Sequence, residues 1–393
     1  MKQLFLLLLC VTSLGLSAQE EIAPKGEPTG MQFVEKPFAE LLAQAKTENK
    51  VIFVDAYTTW CGPCKMMSAQ VFPLPEVGAV YNERFINAKI DMEKGEGPEL
   101  AKRYGVMAYP TYLFVDGNGD IVHRGVGYIP GEQFLALADA ASGEDNLGSL
   151  NKKFDAGERD PNFLRTYATT LMEVYDQQKA DEVTGIYLET KEDWSDAETL
   201  QLLAANPGEP GGKRMNYLLE NSAAVMKEIP AEQFIMTLQQ KLVTAKMQEL
   251  GQRALPSTEE MAGTYDKYGG AMTQQLKDHY AMFSAEQMRD NEKYIPAALH
   301  YLETYGSEDA MQLNGIAWTI FESSEDKEQL AAALEMAKKS VALEEGYANM
   351  DTLAWLYHKT GNGKMAKETA KKAIELAKAT GQDYSDTAKI LEK

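Results

Sequence analysis

Cys61 and Cys64 stand two residues apart in the run Trp60-Cys61-Gly62-Pro63-Cys64-Lys65, and the third cysteine, Cys10, lies in the first apolar stretch of the chain. Two thiols at that spacing can pass between dithiol and disulfide. A chain of 393 residues with one close pair of thiols has no disulfide framework to build, so the pair reads as redox chemistry. Two other readings compete with it. A zinc half-site would need two further ligands, and His123, His279, His300 and His358 are scattered without ligand spacing. A structural disulfide needs no Trp before it and no Gly-Pro inside it. No metal and no other cofactor is expected, and the methionines, Met66 and Met67 among them, read as core filler.

The elements around the pair alternate between helix and strand. Phe38, Leu41, Leu42 and Ala45 recur at helical spacing, and Val51-Ile52-Phe53-Val54 is a buried strand run. A helix follows Cys61 and stops at Pro73. Phe85 to Ile90 makes a second strand, and Glu99 to Tyr104 a short helix closed by Gly105. Strands at Thr111 to Val115 and Ile121 to Val126 are joined through Asp116-Gly117-Asn118-Gly119-Asp120, a hairpin signal, and Glu132 to Ala140 closes the set as a helix. This order predicts an α/β layout with the sheet covered on both faces, spanning residues 32–142.

Residues 143–149, with Ser142 to Asn146 at their start, read as a linker. Strand signals vanish after Leu150, and residues 150–310 are helical without a phase that can be assigned. In 311–393 Ile316-Ala317-Trp318 matches Leu353-Ala354-Trp355 at a 37-residue offset, while Ala333 and Ala337-Lys338-Lys339 match Ala366 and Ala370-Lys371-Lys372 at 33. This helical-hairpin period resembles a tetratricopeptide repeat pair. The paired lysines read as a solvated helix face.

The compartment follows from the start of the chain. Lys2, the apolar run Leu4 to Leu9 and the small pair Ser17-Ala18 mark residues 1–18 as a signal peptide, which would remove Cys10. A lipid-attachment cysteine would need a small residue before it, and Leu9 stands there instead. Residues 19–31 have the composition of a flexible leader. The chain is thus expected to be exported, to the periplasm, with no stable membrane insertion. Its 59 acidic and 39 basic residues give a formal charge of −20, which argues against nucleic acid as a partner.

Cys61-Gly62-Pro63-Cys64 after a strand carrying Asp55, with Tyr109-Pro110-Thr111 heading a later strand, resembles the thioredoxin family over Phe38 to Ala140. The segment Val71 to Val77 further resembles the periplasmic thiol-donating domain of transmembrane disulfide reductases. A cysteine at a helix start meets unsatisfied amides and the positive end of the dipole, so Cys61 is expected to be the exposed attacking thiolate. Cys64, one turn on, resolves the mixed disulfide. Asp55, on a buried strand, is suited to take the proton from Cys64. Trp60 shields the pair, and Gly62 and Pro63 hold its first turn. The resemblance implies a cis Tyr109-Pro110 bond in a loop that offers backbone groups to substrate. Two departures from the family pattern are Tyr109 itself and Asn87, read as standing where the lysine partner of the aspartate is usual.

The resulting expectation is a thiol-disulfide oxidoreductase that reduces disulfide-containing client proteins. A Gly-Pro pair is typical of thioredoxins poised near about −270 mV, far below the strongest periplasmic oxidant. Such a reductase needs a membrane electron donor. The alternatives are an oxidase or isomerase, and a repeat-based adaptor whose thioredoxin-like domain only binds.

Overall fold

The computed structural model describes residues 30–392. The expected signal peptide with Cys10 lies outside them, as does the expected leader apart from Gly30 and Met31. The chain divides into two compact units, one ending at Asp176 and the other running from Gln177.

The first unit is built on strands β1 (Val51–Tyr57), β2 (Phe85–Asp91), β3 (Thr111–Val115) and β4 (Ile121–Val126), in the order β2-β1-β3-β4. β1 runs parallel to β2 and antiparallel to β3, and β4 closes an antiparallel hairpin with β3. Central β1 buries every residue from Ile52 to Ala56, which is why it reads as an unbroken apolar run rather than as an alternation. In the hairpin, Asp116 Oδ1 accepts from the amides of Asn118 (2.8 Å) and Asp120 (3.0 Å), and Gly119 takes φ +87°.

Helices α1 (Phe38–Glu48), α2 (Gly62–Met66), α3 (Pro75–Arg84), α4 (Gly97–Arg103) and α5 (Gly131–Ser142) flank this sheet. Phe38 and Leu41 of α1 and Leu100 of α4 pack with Ile52, Val54 and Leu113 on one face. The other face is aromatic: Phe53 lies 5.0–5.9 Å from the rings of Tyr81, Tyr112, Phe114 and Phe134. Periodicity led from Pro73 directly to β2 and left α3 unmarked. Pro75 opens α3 in a first turn, where its missing amide has no helical partner, and Val77 and Tyr81 commit the helix to the aromatic face.

The expected linker at 143–149 is not a break in packing. α6 (Leu147–Asp155) begins inside it and packs on β4, with Asn146 as its N-cap. The Leu147 amide donates to Nδ1 of buried His123 at 3.3 Å, and a Cβ on Gly148 would stand 2.6 Å from the Ile121 carbonyl oxygen. α7 (Pro161–Glu173) follows within the same unit. Linker composition could not reveal this, because the partner that holds α6 is a histidine on a strand.

Burial lowers the pKa of His123 to about 4. The unfolded imidazole takes up its proton near about 6.5, so this contribution to stability is complete above that pH and is lost as the pH falls through 4, about 3 kcal/mol in all. His123→Gln should therefore flatten the decline of thermal stability between pH 7 and pH 4, followed by calorimetry.

The second unit is helical through its described residues, from Gln177–Glu189 to Ser385–Glu392. Near its end Ala310–Ser323 pairs with Lys327–Leu343, and Tyr347–Lys359 with Gly363–Thr380. Ala317 and Ala354, Ala333 and Ala366, and Ala337 and Ala370 are all fully buried, so the sequence matches mark the positions where the paired helices touch. No helix among the described residues is long and apolar enough to cross a membrane.

Candidate active site

Cys61 is the N-cap of α2, and its Sγ accepts a hydrogen bond from the Cys64 amide at 3.1 Å. The two sulfurs are joined, with S–S 2.06 Å and Cα atoms 5.3 Å apart. Pro63 falls in the first turn, and nothing lies within 4 Å of where a Cβ would stand on Gly62, which keeps the surface beside the disulfide low. One expectation is corrected here. With the sulfurs joined, Cys61 is no more exposed than Cys64, each being 3% exposed. Beyond Met66 the helix does not continue unchanged to Pro73. It widens into a π-type turn over Met67–Val71, in which the Phe72 amide reaches back to the Met67 carbonyl at 2.9 Å.

Trp60 is 64% exposed, and its ring nitrogen donates to Glu93 Oε1 at 3.0 Å. The indole meets the Tyr109 ring edge-on at 6.1 Å between centroids, so the segment before the cysteines and the Tyr109-Pro110 loop come together. The Tyr109-Pro110 bond is cis. Met107, on the same loop, is 95% exposed. Neither Glu93 nor Met107 stood out in the sequence, because a surface acid and a lone methionine carry no spacing signal.

Asp55 lies fully buried on β1, with Oδ2 3.1 Å from the Lys89 ammonium, while Oδ1 accepts no hydrogen bond from the described residues. This corrects the reading of Asn87. The β1–β2 register sets Lys89 opposite Asp55 and Asn87 opposite Phe53, a difference of one full pleat repeat. The lysine partner is present. Asn87 instead donates to the Gln32 carbonyl (3.3 Å) and to Asn82 Oδ1 (3.0 Å), tying the segment that precedes α1 to the sheet.

Lys89 is held from several sides. Its ammonium donates to Ser68 Oγ at 2.6 Å and lies 4.8 Å from the Tyr57 ring centroid, 5.3 Å from Phe72 and 5.9 Å from Phe33. Ser68 Oγ in turn donates to the Cys64 carbonyl at 3.0 Å, which links Asp55 through Lys89 and Ser68 to the second cysteine's backbone. Burial pushes the Asp55 pKa up to about 6, and the attraction of Lys89 offsets only part of that rise. Lys89→Met should therefore raise it further, by about one unit or more, in a carbonyl-carbon NMR titration of Asp55.

The Thioredoxin-like domain profile matches residues 38–142. Thioredoxin from Staphylococcus aureus is 38% identical over 95 residues, 24% of this chain and 86% of its own length. The chain belongs to the thioredoxin family. Thioredoxin Y, a chloroplast protein of Oryza sativa, is 30% identical over 131 residues, 33% of this chain and 74% of its own. Among solved structures, a candidate disulphide-isomerase from Bacteroides thetaiotaomicron is 46% identical, covering 29% of this chain and 94% of that one at a TM-score of 0.28. The oxidised C-terminal domain of DsbD from Neisseria meningitidis is 26% identical, covering 28% and 97% at 0.24. The profile match falls on the first unit, and the profile, the thioredoxin relatives and the cysteine pair make the chain a thiol-disulfide oxidoreductase.

Proposed function

We propose that this protein is an exported, periplasmic reductase of protein disulfides, whose second unit, tetratricopeptide-like at its C-terminal end, docks the clients. The observation that carries the disulfide-exchange reading, with Cys61 as the attacking sulfur, is the hydrogen bond from the Cys64 amide to Cys61 Sγ at the start of α2, which favours negative charge on Cys61 once the disulfide is reduced. The reducing direction rests on the Gly62-Pro63 pair. Cys61 thiolate attacks one sulfur of a client disulfide, forming a mixed disulfide and releasing the other client sulfur as thiolate. Cys64 then loses its proton to Asp55 and attacks Cys61 Sγ. The second client sulfur leaves, the client is reduced, and the Cys61–Cys64 pair is oxidised. Two electrons from a membrane donor restore the dithiol. Trp60, Gly62, Pro63, Tyr109 and Pro110 form the surface that the client strand meets.

Insulin reduction with dithiothreitol as donor tests the direction. Turnover above the uncatalysed rate supports a reductase, and a reduction potential close to the about −120 mV of a strong oxidant would turn the assignment round. Partner selection is tested by trapping mixed disulfides from a cell envelope on Cys64→Ser, in the full chain and in a chain ending at Asp176. The full chain should capture a narrower and more reproducible set, and identical sets would remove the docking role.

A further inference from the structure

The helical unit holds a half-open cavity of about 1270 Å³ among helices that include Ala231–Leu250, Thr273–Gln287 and Asn291–Tyr305. Two of its lining side chains, His279 and Gln239, are each 3% exposed, and each keeps one polar atom with no partner among the described residues. One of them, Gln239 Oε1, is an acceptor. His279 Nε2 donates to Glu232 Oε1 at 3.0 Å, since a carboxylate only accepts, and Nδ1 is left without a partner. The Gln239 amide nitrogen donates to the Tyr265 hydroxyl, which leaves Oε1 without a donor. Buried polar atoms are rarely left unmatched, so a ligand in this cavity gains by bringing hydrogen-bond donors.

The charges agree. Glu232, Glu308, Asp309 and Glu344 line the cavity, and no lysine or arginine does. Glu308 is paired with Lys339 at 2.6 Å, and Asp309 caps the next helix through the amides of Met311 and Gln312. Glu344 and the second oxygen of Glu232 remain for a ligand. Ile235, Val243, Leu255 and Phe283 supply apolar wall, and Tyr301 and Tyr305 line it too.

We propose that this cavity binds a peptide segment bearing an arginine side chain between apolar residues. A guanidinium has five donors and no acceptor, which suits a site made of acceptors, and its plane can stack on a tyrosine face. The volume exceeds the range of roughly 300–1,000 Å³ usual for a small ligand, which leaves room for the flanking residues. The assignment is independent of the redox reading.

Calorimetric titration of the full chain with acetyl-Leu-Arg-Leu-amide, acetyl-Leu-Glu-Leu-amide and arginine methyl ester tests it. The arginine peptide should bind about tenfold or more tighter than either of the others, and Glu232→Gln should weaken it about tenfold. Glu344→Gln, at an exposed position where the fold is not at stake, should weaken it in the same direction, and melting curves of both variants confirm that they are folded. Equal binding of the glutamate peptide, no binding of the arginine peptide at millimolar concentration, or indifference to both substitutions would overturn the site. Equal binding of the methyl ester would overturn the peptide assignment.

Discussion

Cys61→Ser should abolish catalysed insulin reduction, a loss of about three orders of magnitude or more, whereas Cys64→Ser should make one attack and then stall as a mixed disulfide. Exposure does not separate the two sulfurs, since both are equally buried when joined. What separates them is their place on the helix. Cys61 is the N-cap and its sulfur accepts the Cys64 amide, while Cys64 lies inside the first turn. An N-cap thiolate is stabilised by unsatisfied amides and by the positive end of the dipole, which favours attack from Cys61 over attack from Cys64. In the reduced protein at pH 7, iodoacetamide should therefore label Cys61 first, as read by peptide mass mapping. Labelling of Cys64 first would reverse the assignment.

Asp55→Asn should have two effects of opposite sign. The folded protein holds the Asp55 proton up to about pH 6, whereas an ordinary aspartate in the unfolded chain releases it near 3.8. A raised carboxylate pKa costs stability as the pH climbs from 3.8 through 6, and the cost is complete above that. The gap of about two units corresponds to about 3 kcal/mol. The asparagine variant, with no charge to bury, should be more stable than the parent by about that amount at pH 8 and no more stable at pH 3.5, in urea titrations at both pH values. Resolution of the mixed disulfide should slow by about 10²-fold above pH 6, because the base that accepts the Cys64 proton is gone, while the first attack by Cys61 is spared. Equal slowing of both steps would leave Asp55 a structural role alone.

Much of the site was legible in the chain because it is local. The Cys-Gly-Pro-Cys turn, the unbroken apolar run of β1 that makes Asp55 a buried carboxylate, and the Asp-Gly-Asn-Gly-Asp hairpin each depend on residues within a few positions of one another, where spacing and φ preference are enough. The 33- and 37-residue offsets of the C-terminal helices were legible for a related reason. A repeated packing face needs the same small residues at the same places, and Ala333, Ala337, Ala366 and Ala370 prove to be buried. α3 was missed because its buried face is short and is defined by the aromatic cluster it meets rather than by a long period.

What the chain alone determined is therefore local: which two cysteines pair, which carboxylate on β1 is buried, and that a sheet unit precedes a helical one. What only the tertiary structure decided is pairing at a distance. The lysine opposite Asp55 is Lys89 and not Asn87, because strand register arises from the whole sheet and a two-residue shift keeps every side chain on the same face. Ser68 and the rings of Phe33, Tyr57 and Phe72 surround that ammonium from separate segments. α6 belongs to the first unit because the amide of Leu147 finds a buried histidine on β4. Partners brought together across 17 to 56 residues of chain leave no spacing in the sequence, and their identity appears only once the backbone has folded around them.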